Sequence, residues 1–194
     1  MIAYLVGKFS YKSPAMVIVD VHGVGYQVNI SLNTYSDIQA LNDGKLFTYL
    51  LVKEDAHTLY GFSEQQEKEM FVLLISVSGV GAATARMMLS NMRPAEIQRA
   101  ILQGNARALE GVKGIGRKTA ERLVLELRDK LNKQSFDVNI SAIQGNSVEY
   151  DALDALIALG IAKPAAEQSI KKIIQTQDPG ISLEDLVKKA LKAI

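Results

Sequence analysis

Within this 194-residue chain a Gly-x-Gly turn that opens a helix occurs twice, and that repeat restricts the fold more than any other feature. The first copy reads Ser78-Gly79-Val80-Gly81-Ala82-Ala83-Thr84-Ala85. The second, 35 residues on, reads Lys113-Gly114-Ile115-Gly116-Arg117-Lys118-Thr119-Ala120. The copies agree at both glycines, at the β-branched residue between them and at the Thr-Ala pair. Glycine at both ends of a three-residue loop permits φ > 0 and close approach of another molecule to the backbone. The loop N–H groups and the free N–H groups of the following helix then converge on one point, where the helix dipole favours an anion. A phosphate oxygen suits such a site, and Lys118 adds a point charge. One such loop is as readily a packing turn between helices. Two in register, with Arg117-Lys118 at the second, favour phosphate binding on both strands of one duplex, the tandem helix-hairpin-helix arrangement. The expected phosphate-binding residues are Gly79, Val80, Gly81 and Ala82 at the first copy. At the second they are Gly114, Ile115, Gly116, Arg117 and Lys118. Nothing in this geometry reads bases, so binding is expected to be sequence-independent and salt-sensitive.

Charge is segregated around the repeat. Residues 1–62 carry four Lys/Arg against five Asp/Glu, residues 63–135 twelve against eight, and residues 136–194 six against eight. A basic middle is the electrostatic footprint of a nucleic-acid-binding segment, although an excess of this size also falls within ordinary charge scatter. Cysteine is absent, which excludes disulfides and thiolate chemistry and fits a reducing compartment. No run of about 18 apolar residues exists, so no transmembrane helix is expected. The alternating start, Met1-Ile2-Ala3-Tyr4-Leu5-Val6-Gly7-Lys8, is unlike a signal peptide. Gly111 to Thr119 resembles a phosphate-binding P-loop, but Arg117 stands where that motif requires Lys, which argues against a nucleotide site. His22 and His57 fall in separate turns, so no metal site is expected. No catalytic constellation and no cofactor site emerge.

The hydrophobic period changes along the chain. Residues 1–62 read as five short strands. Met16–Val21 is a β-branched run, Tyr26–Ile30 alternates, and Leu46–Val52 and Thr58–Phe62 follow the strand at the start. His22-Gly23-Val24-Gly25 is a tight turn. A short polar segment near Ser36-Asp37-Ile38-Gln39 completes a small closed barrel of the OB type. Lys53-Glu54-Asp55-Ala56-His57 is the last hairpin turn. On residue type alone, Glu54 and Asp55 are a solvated tip, the alternative being a negative point offered to a partner.

From Ser63 the period is 3.6, with Ser63-Glu64-Gln65-Gln66 expected as a capping box and Pro94 at the first position of a later helix. The helix after the second glycine loop buries Ala120, Leu123, Val124, Leu127 and Leu131 and leaves Arg117, Lys118, Arg122, Arg128 and Lys130 off that stripe. Residues 134–148 read as a flexible linker, with Phe136, Val138 and Ile140 alternating as a short strand would. Residues 149–194 read as three helices, the first closed by Gly160 and the third capped at Ser182. The class is α+β and multidomain: a barrel over 1–62, a tandem helix-hairpin-helix segment over 63–133, the linker, and a three-helix module over 149–194.

The ordered set Gly23-Val24-Gly25-Tyr26, Glu54-Asp55-Ala56, Leu59-Tyr60-Gly61-Phe62, Gly79-Val80-Gly81 and Gly114-Ile115-Gly116-Arg117-Lys118-Thr119-Ala120-Glu121-Arg122 resembles the RuvA family. These are the Holliday-junction-binding subunits of bacterial branch-migration complexes, acting in recombination and DNA repair. The resemblance spans the chain. It implies a cytoplasmic, non-catalytic accessory subunit. That subunit assembles as a homotetramer, with an octamer on DNA as the alternative, and holds a four-way junction open and square. It implies that Glu54 and Asp55 form an acidic pin that repels phosphates at the crossover. It also implies that the C-terminal UBA-like module docks on the RuvB AAA+ ATPase, with Leu156, Leu159 and Ile161 as candidate docking residues, and that junctions pass to the RuvC resolvase. Members of the family often carry a basic residue near the position of Ala83. The competing readings are a helix-hairpin-helix DNA-repair enzyme subunit and a general duplex-binding adaptor.

Overall fold

The strands follow from alternation. In β2 (Met16–Val21), Val17 and Val19 are buried while their neighbours are not, and in β3 (Val24–Ile30) Val28 and Ile30 point inward. With β1 (Tyr4–Ser13), β4 (Asp43–Val52) and β5 (His57–Phe62) they close a five-stranded barrel in the order β1-β2-β3-β5-β4. Only β3 and β5 pair in parallel. Strand β1 serves both edges, pairing with β4 through residues 4–8 and with β2 through residues 8–13, and a register shift between Phe9 and Tyr11 lets it bend. Closure is tight at Gly61, where a Cβ would stand 2.4 Å from Val28 Cγ1, so no larger residue fits there. The β2–β3 turn is His22-Gly23, both at positive φ (51° and 88°), as a two-residue primed turn requires. Helix α1 (Leu32–Ile38) closes the barrel floor through Ile38, and Lys12 Nζ donates to the carbonyls of Gln39 and Leu41 at its C-terminal end. The computed structural model describes residues 1–140, 147–176 and 181–193, which divide into the compact units Met1–Gln134 and Ser135–Ile194.

Helices α2 (Gln65–Ile75), α3 (Ala82–Asn91), α4 (Pro94–Leu102), α5 (Ala106–Glu110) and α6 (Arg117–Ile140) follow. The change of period after Phe62 is not a break in packing. Tyr60 and Phe62 on β5 belong to the same core as Phe71, Leu74, Met88, Ile97, Leu109 and Leu123 of the helices. Phe71 lies with its ring centroid 5.6 Å from Tyr49 and 5.0 Å from both Tyr60 and Phe62. Burying such a ring is worth roughly 1.5–3 kcal/mol, and aromatic pairing adds about 0.5–1.5 kcal/mol.

The expected capping box at Ser63 does not form. Glu64 is the N-cap of α2 and makes no side-chain cap. Ser63 Oγ instead donates to Asp37 Oδ2 at 2.6 Å, and its N–H to Thr34 Oγ1 at 3.2 Å, because the barrel floor offers an anionic acceptor. Pro94 does open α4, with the Arg93 N–H donating to Glu96 Oε2 at 2.7 Å. Helix α6 runs to Ile140, so residues 134–140 are helical rather than the short strand that alternation suggested. No Gly or Pro interrupts that stretch, and extending an existing helix gains a hydrogen bond per residue without a new nucleus. Residues 141–146 of the expected linker lie outside the described residues, and 147–148 already belong to α7 (Ser147–Ala158).

In the second unit, α7, α8 (Lys163–Thr176) and α9 (Leu183–Ala193) share a small core of Ala152, Leu156, Ala166, Ile170, Ile173, Leu186 and Ala190. Gly160 (φ 89°) ends α7 as expected, with Ile161 N–H on Leu156 O and Gly160 N–H on Ile157 O. Ser182 caps α9, accepting from the Asp185 N–H at 3.2 Å.

One buried polar cluster joins the barrel floor to α2. Glu67 is 3% exposed and accepts from Ser31 Oγ and from Thr34 Oγ1, the latter at 2.6 Å. Burial raises its carboxyl above the ordinary range, opposed by the two hydroxyl donors. A raised folded-state pKa contributes stability that is fully present below the unfolded value and is lost as pH rises through the folded one. Denaturant melts should therefore show unfolding free energy falling with pH across that window, and Glu67→Gln should flatten that part of the profile. Glu67→Leu should cost roughly 1–3 kcal/mol by leaving the buried hydroxyls without their acceptor.

Candidate nucleic-acid interface

Both glycine loops are built by the same local rules. Val80 N–H donates to Val77 O at 3.1 Å in the first, and Ile115 N–H to Val112 O at 3.0 Å in the second. Gly79 and Gly114 hold φ of 92° and 95°, which β-carbon-bearing residues rarely adopt. The Ala85 N–H then meets Gly81 O, and the Ala120 N–H meets Gly116 O, each at 2.9 Å, starting α3 and α6. Apolar side chains pin each loop from below: Val77 and Val80 in one, Val112 and Ile115 in the other, all buried. The repeat extends into the core, where Leu74 matches Leu109, Ala85 matches Ala120 and Met88 matches Leu123, all fully buried.

The second glycine of each loop is the one that bears on function. Gly81 has φ −83°, open to any residue. A Cβ at Gly81 or at Gly116 would meet no protein atom within 4 Å. Packing does not explain the absence of a side chain at either position, and conformation does not explain it at Gly81. It keeps clear the space in front of the first-turn N–H groups of α3 and α6, which have no acceptor inside their own helices. A ligand that brings acceptors close to backbone fits that space, and a phosphate group does.

The side chains around the two loops differ. In the second loop Lys113, Arg117 and Lys118 are exposed. Arg117 Nε donates to Glu121 Oε1 at 2.9 Å, which offsets part of its charge, while Lys118 forms no ion pair among the described residues. The first loop has Ser78, Ala82 and Ala83 at the equivalent positions, Ala82 half-buried against the core and Ala83 exposed. Each loop also meets the helix of the other copy. Thr84 Cγ2 would lie 3.9 Å from a Cβ at Gly114, and Arg122 Nη1 donates to Ser78 O at 3.3 Å. Sequence reading placed Arg122 off the apolar stripe of α6 and gave it no further role.

The barrel fixes the first copy. Arg86 Nη1 on α3 donates to Ala15 O at 3.0 Å and to Asn29 Oδ1 at 3.2 Å. Asn33 Nδ2 donates to Leu89 O and Met92 O, and Leu32 N–H donates to Ser90 Oγ. At the far end of the barrel, Val52 pairs with His57 and the Lys53 N–H donates to Ala56 O at 2.9 Å, closing the hairpin with Glu54 and Asp55 exposed at its tip.

Of the expected docking residues, Leu156 is fully buried and is part of the core, because that side of α7 faces α8 and α9. Ile161 packs partly on that core, whereas Leu159 is 61% exposed, with Ile157 exposed beside it. No group of three or more His, Cys, Asp or Glu side chains able to hold a metal occurs among the described residues, and none of their helices is long and apolar enough to cross a membrane. Two open clefts, one on the barrel between Lys8, Asp20 and Asp43 and one beside α6 at Val124 and Arg128, include no residue of either glycine loop.

Known families match three stretches of the chain. Residues 1–61 match the RuvA N-terminal domain, residues 71–129 the SAM-like helix-hairpin-helix tandem, and residues 147–194 the RuvA C-terminal domain. The Holliday junction branch migration complex subunit RuvA of Cytophaga hutchinsonii is 45% identical, covering 99% of each chain. The same subunit from Flavobacterium psychrophilum is 46% identical over 99% of each chain, and that of Christiangramia forsetii 44% over the whole of both. With both ends matching RuvA models and its full length aligned to RuvA subunits, the chain belongs to the RuvA family.

Proposed function

We propose that this chain is the non-catalytic subunit that binds four-way DNA junctions in a branch-migration complex. The observation that carries this is the pair of matched loops whose second glycines leave the helix N-termini open to phosphate. Gly79 to Ala82 hold one strand of an arm, and Gly114 to Lys118 hold the other. The contacts go to the backbone, so the junction is recognised by shape and charge rather than by sequence. Glu54 and Asp55, at the tip of a closed hairpin, repel phosphates at the crossover and favour separated strands. The C-terminal module docks on the RuvB ATPase through its exposed apolar residues, Leu159 and Ile157 among them, and the complex hands junctions to the RuvC resolvase. Assembly as a homotetramer in the bacterial cytoplasm, or as an octamer on DNA, belongs to the same reading.

Gel shifts with a synthetic four-way junction, a linear duplex and a single strand test the reading, with tightest binding expected for the junction. Equal affinity for duplex and junction would leave only a general duplex-binding adaptor. Lys118→Ala should weaken junction binding and lower the slope of log affinity against log salt by about one per bound chain. An unchanged slope would mean that Lys118 touches no phosphate. Glu54→Gln with Asp55→Asn should alter strand separation during motor-driven branch migration and leave junction affinity nearly unchanged. Collapse of affinity in that variant would refute the repulsive role.

A further inference from the structure

The two loops carry unequal charge, and the structure offers a remedy from outside the first copy. The second loop has Lys113, Arg117 and Lys118 where the first has Ser78, Ala82 and Ala83. The cation on the first copy's own helix, Arg86, is committed to Ala15 O and Asn29 Oδ1 on the barrel. Arg122 belongs to the second copy's helix, yet its guanidinium reaches across and hydrogen-bonds Ser78 O, the carbonyl directly before Gly79. Its side chain is 52% exposed, so a ligand from solvent can reach it. Glu126 Oε1 pairs with Nε at 3.5 Å and offsets part of the charge, whereas Nη1 is the atom that meets the loop. The residue equivalent to Arg122 in the first copy is Met87, so no reciprocal charge is lent to the second loop.

We infer that Arg122 supplies the cation of the first phosphate site, lent across the repeat in place of a basic residue at Ala83. The inference rests on the proposed DNA-binding reading. The Ser78 carbonyl fixes the guanidinium at the mouth of the loop. A phosphate seated on the N–H groups of α3 then receives one charge-assisted hydrogen bond from Arg122, as the second receives one from Lys118. Both strands of an arm are thus met by one backbone cradle and one side-chain cation each, although the first cradle contains no cation of its own.

A double-mutant cycle on junction binding separates this role from a purely structural one. Affinity for a synthetic four-way junction is measured across a salt series for the wild type, Arg122→Gln, Ala83→Lys and the double variant. Thermal unfolding confirms that each is folded. Glutamine retains a donor that can reach Ser78 O but no charge. Arg122→Gln should reduce the salt slope by about one per bound chain. Ala83→Lys should add little slope to the wild type, whose first site already holds a cation, and should restore the full increment in the Arg122→Gln background. An unchanged slope in Arg122→Gln, or equal increments from Ala83→Lys in both backgrounds, would overturn the inference while leaving junction binding standing. A wild-type protein without salt-dependent junction binding would overturn the DNA-binding reading and this inference with it.

Discussion

The rings of Tyr49, Tyr60 and Phe62 around Phe71 are the contact on which the rest depends. They make the outer face of the barrel wall part of the helical core, so residues 1–134 form one unit. The acidic hairpin is an extension of β4 and β5, the strands that carry those rings. The glycine loops hang from α2, α3 and α6, which pack on the same core. The hairpin tip and the glycine loops thus keep a fixed geometry relative to one another, because a shared apolar core holds them where a linker would not.

The polar connections reinforce this arrangement at its seams. Glu67 draws α1 and α2 together through two hydroxyls, and Arg86 with Asn33 ties α3 to the barrel. Across the helical half, Arg122 and Lys130 on α6 reach Ser78 and Ser76 of the first hairpin. The two copies of the repeat are therefore bound to one another as well as to their common core, and the spacing between the two glycine loops is set twice over.

Much of this was legible in the sequence because it is local. The strands follow from alternation and the loops from Gly79, Gly81, Gly114 and Gly116. The ends of α7 and α9 follow from Gly160 and Ser182. What sequence missed depends on partners far along the chain. Ser63 failed as a cap because Asp37 and Thr34, from the barrel floor, compete for it. Arg122 looked like a solvated charge because Ser78 is 44 residues away. Leu156 looked available because an apolar stripe does not say which of its members faces the neighbouring helices. The short strand read at Phe136, Val138 and Ile140 gave way to α6 because weak alternation does not outweigh continuation of an existing helix.

The open space before Gly81 and Gly116 separates two kinds of selection. Neither glycine is needed to pack the fold, since an added methyl would touch nothing in the protein. A lineage that stopped binding DNA would be free to drift at these positions and lose no packing by doing so. The loops' first glycines, Gly79 and Gly114, would still be held in place by their backbone angles. A pair of conserved first glycines beside diverged second ones would then mark a scaffold that outlived its ligand.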